Sequence, residues 1–207
     1  MLSERWITCR FLGAISQAGL LEYPLRVETG ERPDLVLTPP TGRVGVEISQ
    51  VVPQDWARVK AYSEEKGIHR FRYIPPHRVS DPPRSRSEIE KVARGQIQAV
   101  PDMENSIERN WVEAVLDRVE EKGERFRKQG FAKYQNNWLV IYDNWSPAPL
   151  LDNDVAVECL GRGIFDLGAR NPFCKVFLQK WRHIREFARE TGIRKHPIPD
   201  WFEGPNA

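Results

Sequence analysis

A chain of 207 residues, 40% hydrophobic and 10% aromatic, is long enough to bury the core of one domain and still carry an insertion. Its formal net charge of +2 is too small to argue for a nucleic-acid partner, so function has to rest on local constellations of residues. No run of about 18 apolar residues occurs, the N-terminus lacks a signal-peptide stretch, and Cys9, Cys159 and Cys174 show no metal spacing, which predicts reduced thiols in a cytoplasmic protein with no membrane partner.

Residues 3 to about 18 predict a helix opened by Ser3, with Trp6, Ile7, Phe11 and Ile15 at helical spacing and Gly19 as its stop. Residues 34–38 predict a strand, with Leu35 and Leu37 on one face and Asp34 and Val36 on the other. Residues 43–49 predict a second, in which Val44, Val46 and Ile48 face one way and Gly45, Glu47 and Ser49 the other. Pro39-Pro40-Thr41-Gly42 turns the chain between them, so the two read as a hairpin.

Residues 69–86 gather His69, Arg70, Arg72, His77, Arg78, Arg84 and Arg86 among prolines. This segment reads equally as a contact for phosphates or as a solvated loop. Ser87 is expected to cap a short helix over residues 88–99. A long amphipathic helix follows from about 105 to 129, with Asn110, Asp117, Glu121, Glu124 and Arg127 on its exposed face. Then come a buried strand at Trp138–Asp143, a helix at 152–162, a strand at Lys175–Gln179 and, from Trp181, a polar, proline-punctuated tail. The order predicts an α/β (α+β) fold, a mixed central sheet flanked by helices. It also predicts one domain over residues 1–207: a core at about 3–52 and 105–180, a helical insertion at about 53–104 and a C-terminal tail at 181–207.

The chemistry starts at the hairpin. Asp34 opens one strand and Glu47 lies within the other, so pairing brings two carboxylates together. Like charges held close are costly unless a cation neutralises them, and a hard divalent ion is the usual partner of paired carboxylates. Glu47 alone reads equally as an acid on a wet sheet face. Its neighbours Val46 and Ile48, however, suit a central strand, where an unpaired Glu is expensive. Gly45, on the Glu47 face, is expected to leave space for a ligand or another backbone. On the long helix, Trp111, Val115, Val119 and Phe126 form one stripe, and Lys122 falls inside it. Such a lysine either snorkels to solvent or finds an anion. Reaching Asp34 and Glu47, it is placed to stabilise charge on a phosphate.

Pro33-Asp34 followed by Glu47-Ile48-Ser49 resembles the PD-(D/E)xK nuclease superfamily, whose members have a restriction-endonuclease-like core. Ser49 stands where that pattern usually has lysine. Some members carry the lysine on the following helix, and Lys122 fits such a migration. Gly45-Val46-Glu47-Ile48-Ser49 and Leu139-Val140-Ile141-Tyr142 are similar to segments of small bacterial members. The resemblance covers about two thirds of the chain and leaves residues 145–207 unexplained. It implies a Mg²⁺- or Mn²⁺-dependent endonuclease that cleaves nucleic acid, DNA before RNA, by metal-activated water, with a homodimer as a further expectation. Asp34, Glu47 and the Ile48 carbonyl would be metal ligands, and Lys122 a catalytic residue. An acid from the first helix often completes such a site. Glu4 is the candidate, although a first-turn Glu is also favoured by the helix dipole; Glu22 and Glu28 are weaker alternatives.

Two other readings stay open. Without the usual lysine, the fold could be a silent binder of nucleic acid or of a protein partner, or Lys122 could form a buried salt bridge with Glu47. The four histidines show no metal spacing, and His183 sits in a charged stretch expected to be exposed. Trp145 and Trp201 read as base-stacking or as packing residues.

Overall fold

The computed structural model describes residues 4–52, 54–68, 81–97, 106–128, 130–144, 153–180 and 182–200. Ser3, His69, His77, most of the basic segment, Trp145 and Trp201 lie outside them.

Helix α1 spans Glu4–Gln17 and buries Ile7, Phe11, Ala14 and Ile15, one stripe at helical spacing. Gly19, at φ 68°, ends it: its N–H donates to the Ser16 carbonyl and that of Leu20 to the Ile15 carbonyl. Strands β1 (Arg26–Thr29), β2 (Leu35–Thr38) and β3 (Val44–Val51) are successively antiparallel, so the expected hairpin forms. Helix α2 (Gln54–Glu65) and helix α3 (Arg86–Ala93) follow, packed together over Val59, Ile89 and Val92. The cap of α3 is Ser85, not Ser87. Its hydroxyl accepts from the Glu88 N–H and the Glu88 carboxylate accepts from the Ser85 N–H, a capping box the Ser-x-x-Glu spacing specifies.

Helix α4 (Ser106–Arg127) leads to β4 (Asn136–Asp143), and helix α5 (Asp154–Asp166) to β5 (Lys175–Lys180). β3, β4 and β5 are mutually parallel. They are buried almost throughout, as parallel strands covered on both faces must be. Two right-handed crossovers stepping the same way across a sheet put their helices on one face. Accordingly α4 and α5 share a core with Leu139, Ile141, Val176 and Leu178, while α1 covers Val46, Val140 and Phe177 on the other side.

The region beyond Trp181 is not a tail. β6 (His183–Ala188) and β7 (Gly192–Pro197) extend the sheet antiparallel from β5, completing seven strands in sequence order. Polar residues hid them, because one buried face sets Glu186 and His196 beside Ile184 and Ala188 and so breaks the apolar pattern. Lys175 of β5 and His196 of β7 both donate to the fully buried Glu186 of β6, at 2.6 and 2.7 Å. Burial alone would raise the Glu186 pKa; these bonds and their positive charges hold it below the usual carboxylate range. His183 is likewise buried, contrary to expectation. Among the described residues no helix is long and apolar enough to cross a membrane.

Gly123 sets how closely α4 approaches the segment after α5. A Cβ there would collide with the Arg170 carbonyl and come within 2.9 Å of Pro172, both set by backbone. Gly123→Ala is therefore expected to destabilise the protein by about 1–3 kcal/mol through overpacking, read as a lower midpoint in thermal or urea unfolding.

Candidate active site

The site begins where β2 stops. Its ladder with β3 ends at Leu35↔Val46, so β3 runs on past its neighbour. One further step of that register sets Asp34 directly opposite Glu47, on one face of the sheet. The Ile48 N–H lies beyond any β2 partner, and the Asp34 carboxylate takes it at 2.6 Å. Asp34 thus closes the sheet with a side chain where backbone has run out.

From the same face α4 supplies Lys122. Its Nζ donates to Glu47 Oε1 at 2.7 Å and lies 3.4 Å from the Ile48 carbonyl oxygen. Both side chains are nearly buried, 13% exposed for Lys122 and 10% for Glu47. The predicted stripe of Trp111, Val115, Val119 and Phe126 is buried, and it orients Lys122 inward instead of toward solvent. Asn110, expected on the exposed face of α4, is buried as well.

Three acidic side chains are buried among the described residues: Glu47, Asp143 and Glu186. Glu186 has both oxygens occupied, and Asp143 accepts from Trp111 at 3.1 Å and Lys180 at 3.2 Å. Glu47 differs, because its Oε2 is buried with no hydrogen-bond partner. Leaving a charged oxygen unpaired away from water is costly, so something is expected to meet it. Gln179, on the α1 face, also buries an unpartnered side chain, but a neutral one.

Asp34 carries the electrostatic strain. Burial pushes its pKa up to about 6, and the charges of Glu47 and Glu4 add to the rise. The Ile48 N–H and the Lys122 charge oppose it without cancelling it. The rise is chiefly the cost of burying the charged form, with the neighbouring acids adding to it.

Glu4 sits exposed in the first turn of α1, and its charge is the smallest contributor at Asp34, so it borders the site without joining its hydrogen bonds. Glu28 pairs with Arg26 on β1, and Glu22 is exposed in the loop before it; neither bonds to Asp34, Glu47 or Lys122. The space expected beside Gly45 is filled: a Cβ there would lie 2.7 Å from the Tyr134 ring and 3.3 Å from Pro33. Gly45 therefore lets other side chains approach the strand and does not open room for a ligand. Ser49 is buried on the Glu47 face and offers no positive charge.

Among the described residues no group of three or more His, Cys, Asp or Glu side chains is placed to hold a metal. The donors that converge are two carboxylates and one backbone carbonyl, all oxygen, a set that fits a hard ion keeping several waters. The Asp143–Lys180–Trp111 and Lys175–Glu186–His196 networks escaped the sequence reading. Only the inward phase of Asp143 along the apolar run of β4 could have signalled one of them, since Glu186 lies in a strand of mixed polarity.

No protein-family model, curated protein or solved structure matches the chain.

Proposed function

We propose that this protein is a divalent-metal-dependent nuclease of the PD-(D/E)xK type, with Asp34 and Glu47 as metal ligands and Lys122 at the reacting phosphate. The single observation that carries the reading is the buried, unpaired Oε2 of Glu47 beside a second carboxylate whose pKa is raised. The mixed sheet flanked by helices is compatible with a restriction-endonuclease-like core. The Lys122–Glu47 contact supports the idea that a helix has taken over the lysine's role from position 49.

The residues would divide the work as follows. Asp34 and Glu47 would hold Mg²⁺ or Mn²⁺, with the Ile48 carbonyl as a third oxygen donor. When bound, such an ion supplies Lewis acidity toward the phosphate and lowers the pKa of water. Asp34, fixed by the Ile48 N–H, keeps its carboxylate at the mouth of the site. Lys122 holds Glu47 in one rotamer and keeps a positive charge where negative charge grows on the phosphoryl oxygens. Hydrolysis forms a bond from water oxygen to phosphorus, breaks the bond to the leaving sugar oxygen and returns a proton to that oxygen. DNA is the preferred substrate class in this reading.

A second reading has one observation behind it. At 2.7 Å Lys122 already compensates the charge of Glu47 through Oε1, and a silent nuclease fold would retain that ion pair because losing either partner strands a buried charge. Cleavage of plasmid and single-stranded DNA with Mg²⁺ or Mn²⁺ tests the proposal, with calorimetric titration of Mn²⁺ alongside. Metal-dependent cutting lost in Glu47→Gln supports a nuclease. Absence of both cutting and Mn²⁺ binding would leave the silent fold.

A further inference from the structure

Among the described residues the sheet ends in two strands without a further neighbour, β1 and β7, and they differ in chemistry. β7 presents Arg194 and Lys195 on exposed positions and ends at Pro197. Two copies meeting there would oppose like charges, and proline cannot donate to a new ladder, which are standard protections of an edge. β1 lacks them. Its four residues, Arg26-Val27-Glu28-Thr29, are mostly exposed and contain no proline or lysine.

Two features of the β1 edge point to one occupant. Val27, 42% exposed, is one of the three large hydrophobic side chains left exposed among the described residues. Val27 pairs with the buried Leu37, so it lies on the α1 face at the margin of that core. Arg26 and Glu28 flank it on the opposite face, and their charges are arranged so that the strand complements itself. Laid antiparallel against a second β1 with Val27 opposite Val27, Arg26 of each copy faces Glu28 of the other.

We propose that the β1 edge is a homodimer interface, in which β1 strands of two copies pair antiparallel about Val27 and join their sheets into one. The interface is isologous, as two-fold symmetry requires. The unpaired backbone N–H and C=O groups of each edge find partners. Val27 meets its own copy across the axis. Arg26 and Glu28 already pair within the strand at 3.0 Å, side chains 75% and 42% exposed. Such a surface pair is weak, so exchanging it for two cross-strand pairs costs little. The axis stands perpendicular to the joined sheet, so Glu47 of both copies faces the same side.

Sedimentation velocity from low to high micromolar concentration tests this on the full chain, with circular dichroism to confirm folding. The wild type is expected to be dimeric. Glu28→Arg sets like charges opposite at both symmetric positions and is expected to weaken the dimer by about tenfold or more. Arg26→Glu combined with Glu28→Arg restores the complementarity and is expected to restore the dimer. A wild type that stays monomeric across the range would overturn the proposal. So would a Glu28→Arg dimer of unchanged affinity, or a double variant no better than the single. None of these readouts depends on whether the chain cuts nucleic acid.

Discussion

Glu47→Gln is expected to abolish metal-dependent phosphodiester cleavage, by at least about 10²–10³-fold, in a protein that remains folded. The neutral amide keeps the shape of the side chain and can still accept from Lys122 Nζ, so the 2.7 Å contact has a successor. It loses the negative charge on the buried oxygen that now has no partner. Lys122→Met should lose comparable activity for a different reason, and should also cost stability. It strands Glu47, 10% exposed, without the cation that compensates it, which costs about 2–4 kcal/mol. Unfolding of Glu47→Gln, Lys122→Met and the double variant separates the two roles. A double variant as stable as Glu47→Gln alone identifies the penalty as the uncompensated carboxylate. Activity that survives in either single variant would remove the pair from the chemistry and leave it a structural ion pair.

Asp34→Asn is expected to move stability and activity in opposite directions. The Asp34 carboxyl has its pKa raised from 3.8 to about 6 in the folded chain, chiefly by burial. A group raised on folding binds protons more readily in the folded state. Its contribution is therefore stabilising below about pH 4 and is lost as pH rises through about 6. Above that, the ionised carboxylate is a liability that Asn lacks, while Asn still accepts from the Ile48 N–H. At pH 7 without metal, the variant should be more stable than wild type by about 1–2 kcal/mol, a figure reduced for the solvent that screens Asp34. At pH 4 the difference should vanish. Protons and cation compete for the same carboxylate, so wild-type Mn²⁺ affinity should fall about tenfold per pH unit below about 6. Calorimetry at pH 4 and 7, with and without Mn²⁺, measures both. A variant no more stable than wild type at pH 7 would mean that Asp34 carries no strain for a metal to relieve.

Strain of this kind is compatible with a site waiting for a cation. The buried Asp143 and Glu186 have internal partners and serve the fold. Glu47 and Asp34 are held in place and left incompletely neutralised.

Much of the hairpin could be read directly. Alternation fixed which residues of β2 and β3 share a face, and one turn between two apolar runs fixed their antiparallel pairing, so Asp34 and Glu47 could be placed together in advance. The stripe on α4 placed Lys122 inward by the same local periodicity. The sequence could not settle its partner, because snorkelling and pairing leave the same pattern. The structure settles that contact across 75 residues of chain.

β6 and β7 were hidden for a related reason. Strands are legible when their inward residues are apolar, and here Glu186 and His196 are inward, paid for by ion pairing from neighbouring strands. Gly45 misled in the same way: a missing side chain marks close approach, but only packing tells whether a ligand or Tyr134 makes it. By itself the sequence determined the elements whose burial repeats along the chain and the pair of acids that one short turn brings face to face. Tertiary structure alone decided which charges are compensated, since a buried group's partner is set by where distant strands and helices meet.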